Sequence, residues 1–416
     1  MKILIIHRFF PSQFSHLFKT LIASRLHQIV AIGQGCYLNS TLDKKISQAY
    51  SFKKYTAITS IHSHPYLSQM ESAVHNGQAV ARMLELLKAQ GFAPDITLAH
   101  IGWGEALYFK DIFPDTPLLA YCEFYYHARG ANAGFDPEFP LTWDDQLRIR
   151  TQNAPFLLNL SAMDYGISPT PWQRSLFPPE YQNRIEVLHE GVDIAQVAPD
   201  PNAVLQLPDG RIVRAGQEIV TYAARNLEPY RGFHQFMRAA AEICRRRPHC
   251  LILVEGGDGV SYSPRLPHGQ TYRERMLREV SIDLERVIFL GYVPFVQHLR
   301  LLQVSAVHIY LTVPFVLSWS MLEAMATQKV VIASDTPPVR DVIEDGKNGL
   351  LVDFFSPRQI ADRVDEVLDH PNRMAAVARA ARDHIQRYYN VNPSLARYQE
   401  IITLMAERRQ PPPRDG

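Results

Sequence analysis

Apolar residues in this chain gather into short unbroken runs, at 2 to 6 (KILII), 28 to 33 (QIVAIG), 95 to 103 (DITLAHIGW) and 118 to 124 (LLAYCEF), with further runs at 164 to 168 and 185 to 189. Such runs read as buried strands, and the stretches between several of them carry helical periodicity. Strand and helix in alternation predict a doubly wound α/β domain. From 196 to 216 the periodicity weakens, and turn sequences such as Pro201-Asn202 and Leu207-Pro208-Asp209-Gly210 punctuate the chain. A domain boundary is expected there, giving a first domain over residues 1–200. The alternation then restarts with a strand at 219 to 224, a helix at 232 to 246, a strand at 251 to 255, a helix at 272 to 282 and a strand at 287 to 290. A buried strand at 307 to 313 leads through a short loop into a helix start at 318 to 323 and a strand at 330 to 334, half of a βαβ crossover. A second Rossmann-like domain is therefore expected over 201–390. Helices at 371 to 389 and 393 to 406 follow, the last belonging to a terminal segment 391–416 whose Pro-rich end, from Arg408, reads as a frayed tail.

These elements are drawn from 416 residues, 46% of them apolar, which is ample for full cores. The formal net charge is +1 and no long charged block appears, so no field argues for nucleic acid as a partner. Arg245-Arg246-Arg247 fits a helix end, where free carbonyls favour cations. Cys36, Cys122, Cys244 and Cys250 are too scattered for a disulfide framework or a C-x-x-C zinc site and read as reduced thiols. No segment reads as a signal peptide or a membrane span, so a cytoplasmic protein is expected. Peripheral contact with the inner face of a membrane stays compatible, because it needs no long apolar run.

In a βαβ unit the helix N-terminus sits at the carboxyl edge of the sheet, where free N–H groups and the positive dipole end suit a phosphate. The turn from Val316 to Trp319 is such a place, and an anionic ligand is the natural expectation. Arg225 and Arg231, in AARNLEPYRGFHQFMRA, put two cations at a strand mouth, a pairing that suits a diphosphate, although surface arginines at a turn would look the same. Gly256-Gly257-Asp258-Gly259 reads as a flexible loop after a strand, and Ser320-x-x-Glu323 has the form of a capping box.

In the first half, the loop from His7 to Phe14 lacks G-x-G-x-x-G, which counts against nicotinamide and flavin chemistry. His100, Glu105, Glu123 and His127 lie at or just beyond strand ends. Glu105 reads as a satisfied polar group; Glu123 and His127 read equally as satisfied polar groups or as functional ones, Glu123 then acting as a base toward a hydroxyl. The aromatic loop 124 to 140 reads either as a sugar-stacking platform or as a packed Ω-type loop. The chain has no Asp-x-Asp and no H-E-x-x-H, and His62-Ser63-His64 reads as a solvated pair, so no metal site is expected.

Two stretches, LEAMA (322 to 326) and DGKNGLLV (345 to 352), resemble the C-terminal signature of family-four glycosyltransferases. In that signature a Glu and a Gly-aromatic-Gly turn come first; here Phe315 holds the Glu position and Val316-Leu317-Ser318 replaces the turn. The resemblance implies a GT-B protein, with two Rossmann-like domains facing across a cleft, a nucleotide-sugar donor on the second and the acceptor on the first. It implies a metal-independent, hexosyl-type transfer with retention of configuration and no cofactor. The acceptor would be a glycan, a lipid-linked sugar or a small molecule, in polysaccharide or glycoconjugate synthesis. By the same resemblance Arg225, Arg231, Leu317 and Ser318 meet the donor diphosphate, Glu323 the ribose, and Gly257, Asp258, Phe315 and Val316 the rest of the donor pocket. Ser12, Gln13 and His100 fall on the acceptor side, Glu123 and His127 at the reacting centre, and the last helix returns to the first domain. Loss of the first Glu motivates a second reading, a noncatalytic nucleotide-sugar binder that supports a partner enzyme. A nucleotide-sugar epimerase on the same fold is the third.

Overall fold

The computed structural model describes residues 1–36, 50–56 and 64–412, and the chain divides into two compact units. One runs from Met1 to Gly191 and takes in the residues from Val391 onward; the other is Val192–Asn390. The division comes at Gly191 rather than at 200, because the weakly periodic stretch 196–216 is built into the second unit. It carries an antiparallel pair, Val204–Gln206 with Ile212–Arg214, that buries Leu205, Leu207 and Val213.

In the first unit the strands β1 (Lys2–Ile6), β2 (Gln28–Gly33), β3 (Tyr50–Lys54), β4 (Ile96–His100), β5 (Leu118–Tyr121), β6 (Tyr165–Ser168) and β7 (Ile185–Val187) form one parallel sheet, ordered β3-β2-β1-β4-β5-β6-β7. Successive side chains of a strand point to opposite faces, so β1 serves two cores at once. Ile3 and Ile5 pack with Leu17, Phe18 and Leu21 of helix α1 (Ser15–Ser24), while Leu4 and Ile6 pack with Val80, Leu84 and Leu87 of α2 (Ser68–Ala89).

The C-terminal helix (Val391–Ala406) joins the first of these faces through Tyr398, Ile401, Ile402 and Met405. Arg397 fixes it: Nε and Nη2 donate to Glu186 Oε1 and Oε2 at 2.8 and 2.7 Å, and Tyr165 Oη donates to the same carboxylate at 2.8 Å. Both charges are buried, so removing Arg397 would leave the Glu186 carboxylate without its cation, a loss of about 3–5 kcal/mol. Arg397 Nη2 also donates to Pro412 O at 2.6 Å, so the chain beyond Arg408 is docked as far as Pro412 instead of frayed; 413–416 lie outside the described residues.

The second unit repeats the plan with β8 (Ile219–Asn226), β9 (Leu251–Gly257), β10 (Val287–Gly291), β11 (Val307–Tyr310), β12 (Val330–Ser334) and β13 (Leu350–Val352), all parallel and ordered β10-β9-β8-β11-β12-β13. Its helices include α3 (Phe233–Arg246), α4 (Phe295–Val304), α5 (Trp319–Ala326) and α6 (Pro357–Asp369). Arg246 and Arg247 close α3 and reach across to α6, meeting Asp365 at 2.9 and 2.6 Å, so they are paired rather than free at a carbonyl end.

Both units are Rossmann-like. In each, the first strand lies beside the fourth of the series, and connections leave that point in opposite directions. The crevice outside the carboxyl ends of β1 and β4, and of β8 and β11, is where ligands of such folds bind.

Candidate functional site

In the second unit the connection after β8 is a single turn, Pro229–Arg231, closed by Gly232 at φ +66°, from which α3 begins. Glycine is required there: a Cβ would lie 2.4 Å from Leu311 Cβ as well as in a left-handed backbone. The turn is anchored from below, since Tyr222 Oη donates to Arg231 O at 2.6 Å and Val313 N to Tyr230 O at 3.1 Å. Arg231 therefore leaves a rigid turn at the switch point.

Its Nη1 donates to Thr312 Oγ1 (3.0 Å), Val316 O (2.8 Å) and Tyr310 Oη (3.3 Å), and its guanidinium lies 6.0 and 5.9 Å from the ring centres of Tyr262 and Phe315. Among the described residues Nε and Nη2 have no acceptor. Phe315, at the position of the signature Glu, is buried, packs edge-on to Tyr262 and forms a wall beside the cation. Glu228, also buried, holds the Tyr262 segment by accepting from the N–H groups of Ser261, Tyr262 and Ser263, the last at 2.8 Å. Arg225 is exposed and without a partner among the described residues.

Helix α5 begins after Ser318 with no side-chain cap. The expected Ser320–Glu323 capping box is not formed, because Ser320 already lies inside the helix, where its hydroxyl meets Ser318 Oγ at 3.0 Å. The backbone N–H of Ser318, expected to face phosphate, donates instead to Tyr310 Oη at 2.9 Å. The next two N–H groups, of Trp319 and Ser320, have no acceptor among the described residues. Leu317 is half-buried against the core below.

The glycine cluster is less flexible than its sequence suggests. Gly256 and Gly257 finish β9, and a Cβ on Gly257 would fall 2.3 Å from the ring of Tyr292, whose hydroxyl donates to Asn226 Oδ1 at 2.7 Å. Asp258 pairs with Arg273 at 2.5 Å. Glu323 meets a residue that the sequence did not single out: His298 Nε2 lies 3.0 Å from Glu323 Oε2, and His298 Nδ1 lies 2.6 Å from Glu255 Oε2. Burial alone would lower an imidazole, but the two hydrogen bonds and the two carboxylate charges outweigh it and push His298 up to about 10. His308, fully buried beneath, is pulled down to about 3 by burial and by the charge on His298.

In the first unit Glu123 sits just past β5, and its carboxylate is held from two sides. Gln13 Nε2 donates to Oε1 at 2.6 Å, and His100 Nε2 lies 3.3 Å from Oε2. Proton positions follow from the outer partners. Gly102 N–H donates to His100 Nδ1 (3.0 Å), and Phe9 N–H donates to His7 Nδ1 (3.1 Å), so each ring carries its proton on Nε2. His7 Nε2–H then donates to Gln13 Oε1 at 2.8 Å, which turns the Gln13 amide so that its NH₂ faces Glu123. Burial holds His7 well below the usual histidine range, consistent with this neutral tautomer. The Trp103 ring stacks on His100 with centroids 3.9 Å apart.

Gln13, His100 and Glu123 thus come together, with His7 behind them. His127 does not join this network; its Nε2 donates to Leu176 O at 2.7 Å. The hydrogen bond of Ser12 lies outside the network too, its carbonyl accepting from Ser15 Oγ. Glu105 is buried; its Oε1 accepts from Arg8 (2.8 Å) and Tyr55 (2.5 Å), while Oε2 has no hydrogen-bond partner among the described residues. The aromatic loop is pinned at Tyr126, whose N and O both bond Asn153, at 3.2 and 2.8 Å. Of the His62-Ser63-His64 pair only His64 is among the described residues, exposed beside Tyr66.

Comparison with known proteins gives a consistent picture. A family profile described as "Glycosyl transferase family 4 group" matches residues 27–197, and "Glycosyl transferases group 1" matches 210–384. The chain is 27% identical over 212 residues to a D-inositol 3-phosphate glycosyltransferase of Rhodococcus jostii, covering 50% of this chain and 44% of that protein. It is 27% identical over 233 residues to a GDP-mannose-dependent α-(1-6)-phosphatidylinositol monomannoside mannosyltransferase of Mycolicibacterium smegmatis, covering 54% and 58%. The chain therefore spans about half the length of the curated relatives it matches. Among solved structures, Anabaena HepE in complex with UDP-glucose superposes with a TM-score of 0.67 at 15% identity, over 97% of this chain and 99% of that one. Among the described residues no helix is long and apolar enough to cross a membrane.

Proposed function

Because the chain belongs to the family-four glycosyltransferases of the GT-B fold, we propose that it moves a sugar from a nucleotide-sugar donor to a hydroxyl of a glycoconjugate or related acceptor, with the configuration at the transferred carbon retained. The observation that carries this reading is the Arg231 constellation. A guanidinium fixed through Nη1, with Nε and Nη2 unspent, stands at the switch point beside two unused N–H groups at the start of α5. That set suits a diphosphate whose negative charge grows as the bond to the sugar breaks, and donors already in place need no reorganisation at that moment. Arg225, exposed at the carboxyl end of β8, is the second cation. Glu323 is assigned the ribose, with Oε1 free of protein hydrogen bonds.

On the first unit Glu123 is assigned the acceptor hydroxyl. Gln13 and His100 orient the carboxylate, so a hydroxyl would find an acceptor whose direction is set in advance. The relatives named for inositol phosphate and phosphatidylinositol monomannoside support a phosphorylated or lipid-linked acceptor. The test is product analysis after incubation with radiolabelled UDP-glucose or GDP-mannose and a membrane lipid extract. A new labelled glycoside supports transfer. An epimerised donor without glycoside would replace this reading by epimerisation, and an unchanged donor would favour the noncatalytic binder that Phe315 at the signature Glu position suggests.

A further inference from the structure

Three elements converge on one imidazole. His298 comes from α4, Glu255 from the end of β9 and Glu323 from α5, and the ring stands between the two carboxylates at 2.6 and 3.0 Å. Carboxylate oxygens only accept, so both ring nitrogens must donate and the ring is an imidazolium. His298 and both carboxylates are largely buried, with side-chain exposures of 12 to 15%. The remaining titratable ring nearby, His308 on β11, is neutral and fully buried. Burying a histidine cation between two acids is costly unless every hydrogen bond is made, and here both are.

The arrangement is directional. Glu323 Oε2 is taken by His298, whereas Oε1 has no protein partner, so the clamp leaves one face of the carboxylate open. Without the imidazolium, two carboxylates of like charge would face each other across the same space, and Glu323 would be driven from that position.

We propose that His298 is a positioning residue that, anchored by Glu255, holds Glu323 in the orientation that reads the ribose hydroxyls of the donor nucleotide. The inference rests on the nucleotide-sugar reading above and adds to it the residue that sets nucleotide sugar-ring specificity.

The test compares affinity for UDP and GDP with that for 2′-deoxy-UDP and 2′-deoxy-GDP, by titration calorimetry on the full chain. A charge-assisted hydrogen bond to one hydroxyl is expected to favour the better ribonucleotide over its deoxy counterpart by about tenfold in the wild type. In His298→Gln that preference falls to within about twofold. Glu255→Ala, which leaves the ring without its anchor, does the same, while Glu255→Gln, whose amide can still hold Nδ1, retains the preference. A variant with a merely structural defect would weaken both nucleotides equally and leave the ratio unchanged. If His298→Gln does not fold, Glu255→Ala against Glu255→Gln carries the comparison.

Retention of the ribose preference in His298→Gln, or in a folded Glu255→Ala, overturns the positioning role alone. Equal binding of ribo- and deoxynucleotides by the wild type, or binding of neither, overturns the ribose assignment of Glu323 as well. Ribose preference without sugar transfer would remove the transferase reading and leave the clamp standing.

Discussion

Replacing His298 by Gln removes a cation whose effect on the stability of the second unit can be worked out from its surroundings. The ring is raised to about 10 in the folded state, against about 6.5 when unfolded. A raised group contributes stability that is complete below the unfolded value and is lost as pH climbs through the folded one. Each pH unit between those limits removes about 1.4 kcal/mol, so moving from pH 6.5 to 8.5 costs roughly 2 kcal/mol. His308 acts with the opposite sign: lowered to about 3, it withdraws stability only as pH falls below its unfolded value, and it is neutral in both states over this alkaline range. Lys329, lowered to about 8 by burial, acts the other way and returns stability as pH climbs past that value, so the share due to His298 is the difference between the wild-type and His298→Gln slopes. Differential scanning calorimetry at pH 6.5, 7.5 and 8.5 reads it, with a fall of roughly 4 to 8 °C expected for the transition of a unit this size. His298→Gln should start lower and lack this fall, with Lys329 leaving its profile flat or slightly rising over the same range. A flat wild-type profile, or an equal slope in the variant, would refute the imidazolium clamp.

Two further substitutions probe the framework. Gln13→Leu leaves the buried Nε2–H of His7 without an acceptor and removes one donor from Glu123, so the first unit should lose about 2–4 kcal/mol in urea unfolding. His7→Leu combined with Gln13→Leu should cost clearly less than the sum of the single losses, and simple additivity would contradict the relay. Gly232→Ala forces a side chain into a left-handed backbone against Leu311 and should cost the second unit about 2–4 kcal/mol. A loss below about 0.5 kcal/mol would show that the turn holding Arg231 can shift.

The sheets were legible because parallel strands are buried on both faces and announce themselves as continuous apolar runs; β1, β2, β8 and β12 are of this kind. Strand β3 escaped notice because YSFKK, at the sheet edge, is half-exposed and charged. Arg231 could be read from its place after a strand and before a glycine. The capping box at Ser320 could not be judged, since the same spacing serves a helix that starts one residue earlier. Gln13, His100 and Glu123 were visible as polar residues at strand ends, but their union depends on contacts 110 and 23 residues apart. His298 carried no signal: it lies on an ordinary amphipathic helix, and its partner Glu255 comes from a strand 43 residues away.

Thermal unfolding with a panel of nucleotide sugars and free nucleotides, run on the wild type and on Arg231→Ala, addresses the donor site most directly. A ligand present at a hundred times its dissociation constant stabilises by about 2.7 kcal/mol, or roughly 5 to 10 °C for a unit of this size. The expected result is a selective shift with one nucleotide sugar and its parent nucleotide, largely lost in Arg231→Ala. No shift with any compound, or an equal shift in the variant, would contradict a nucleotide-sugar site built on Arg231.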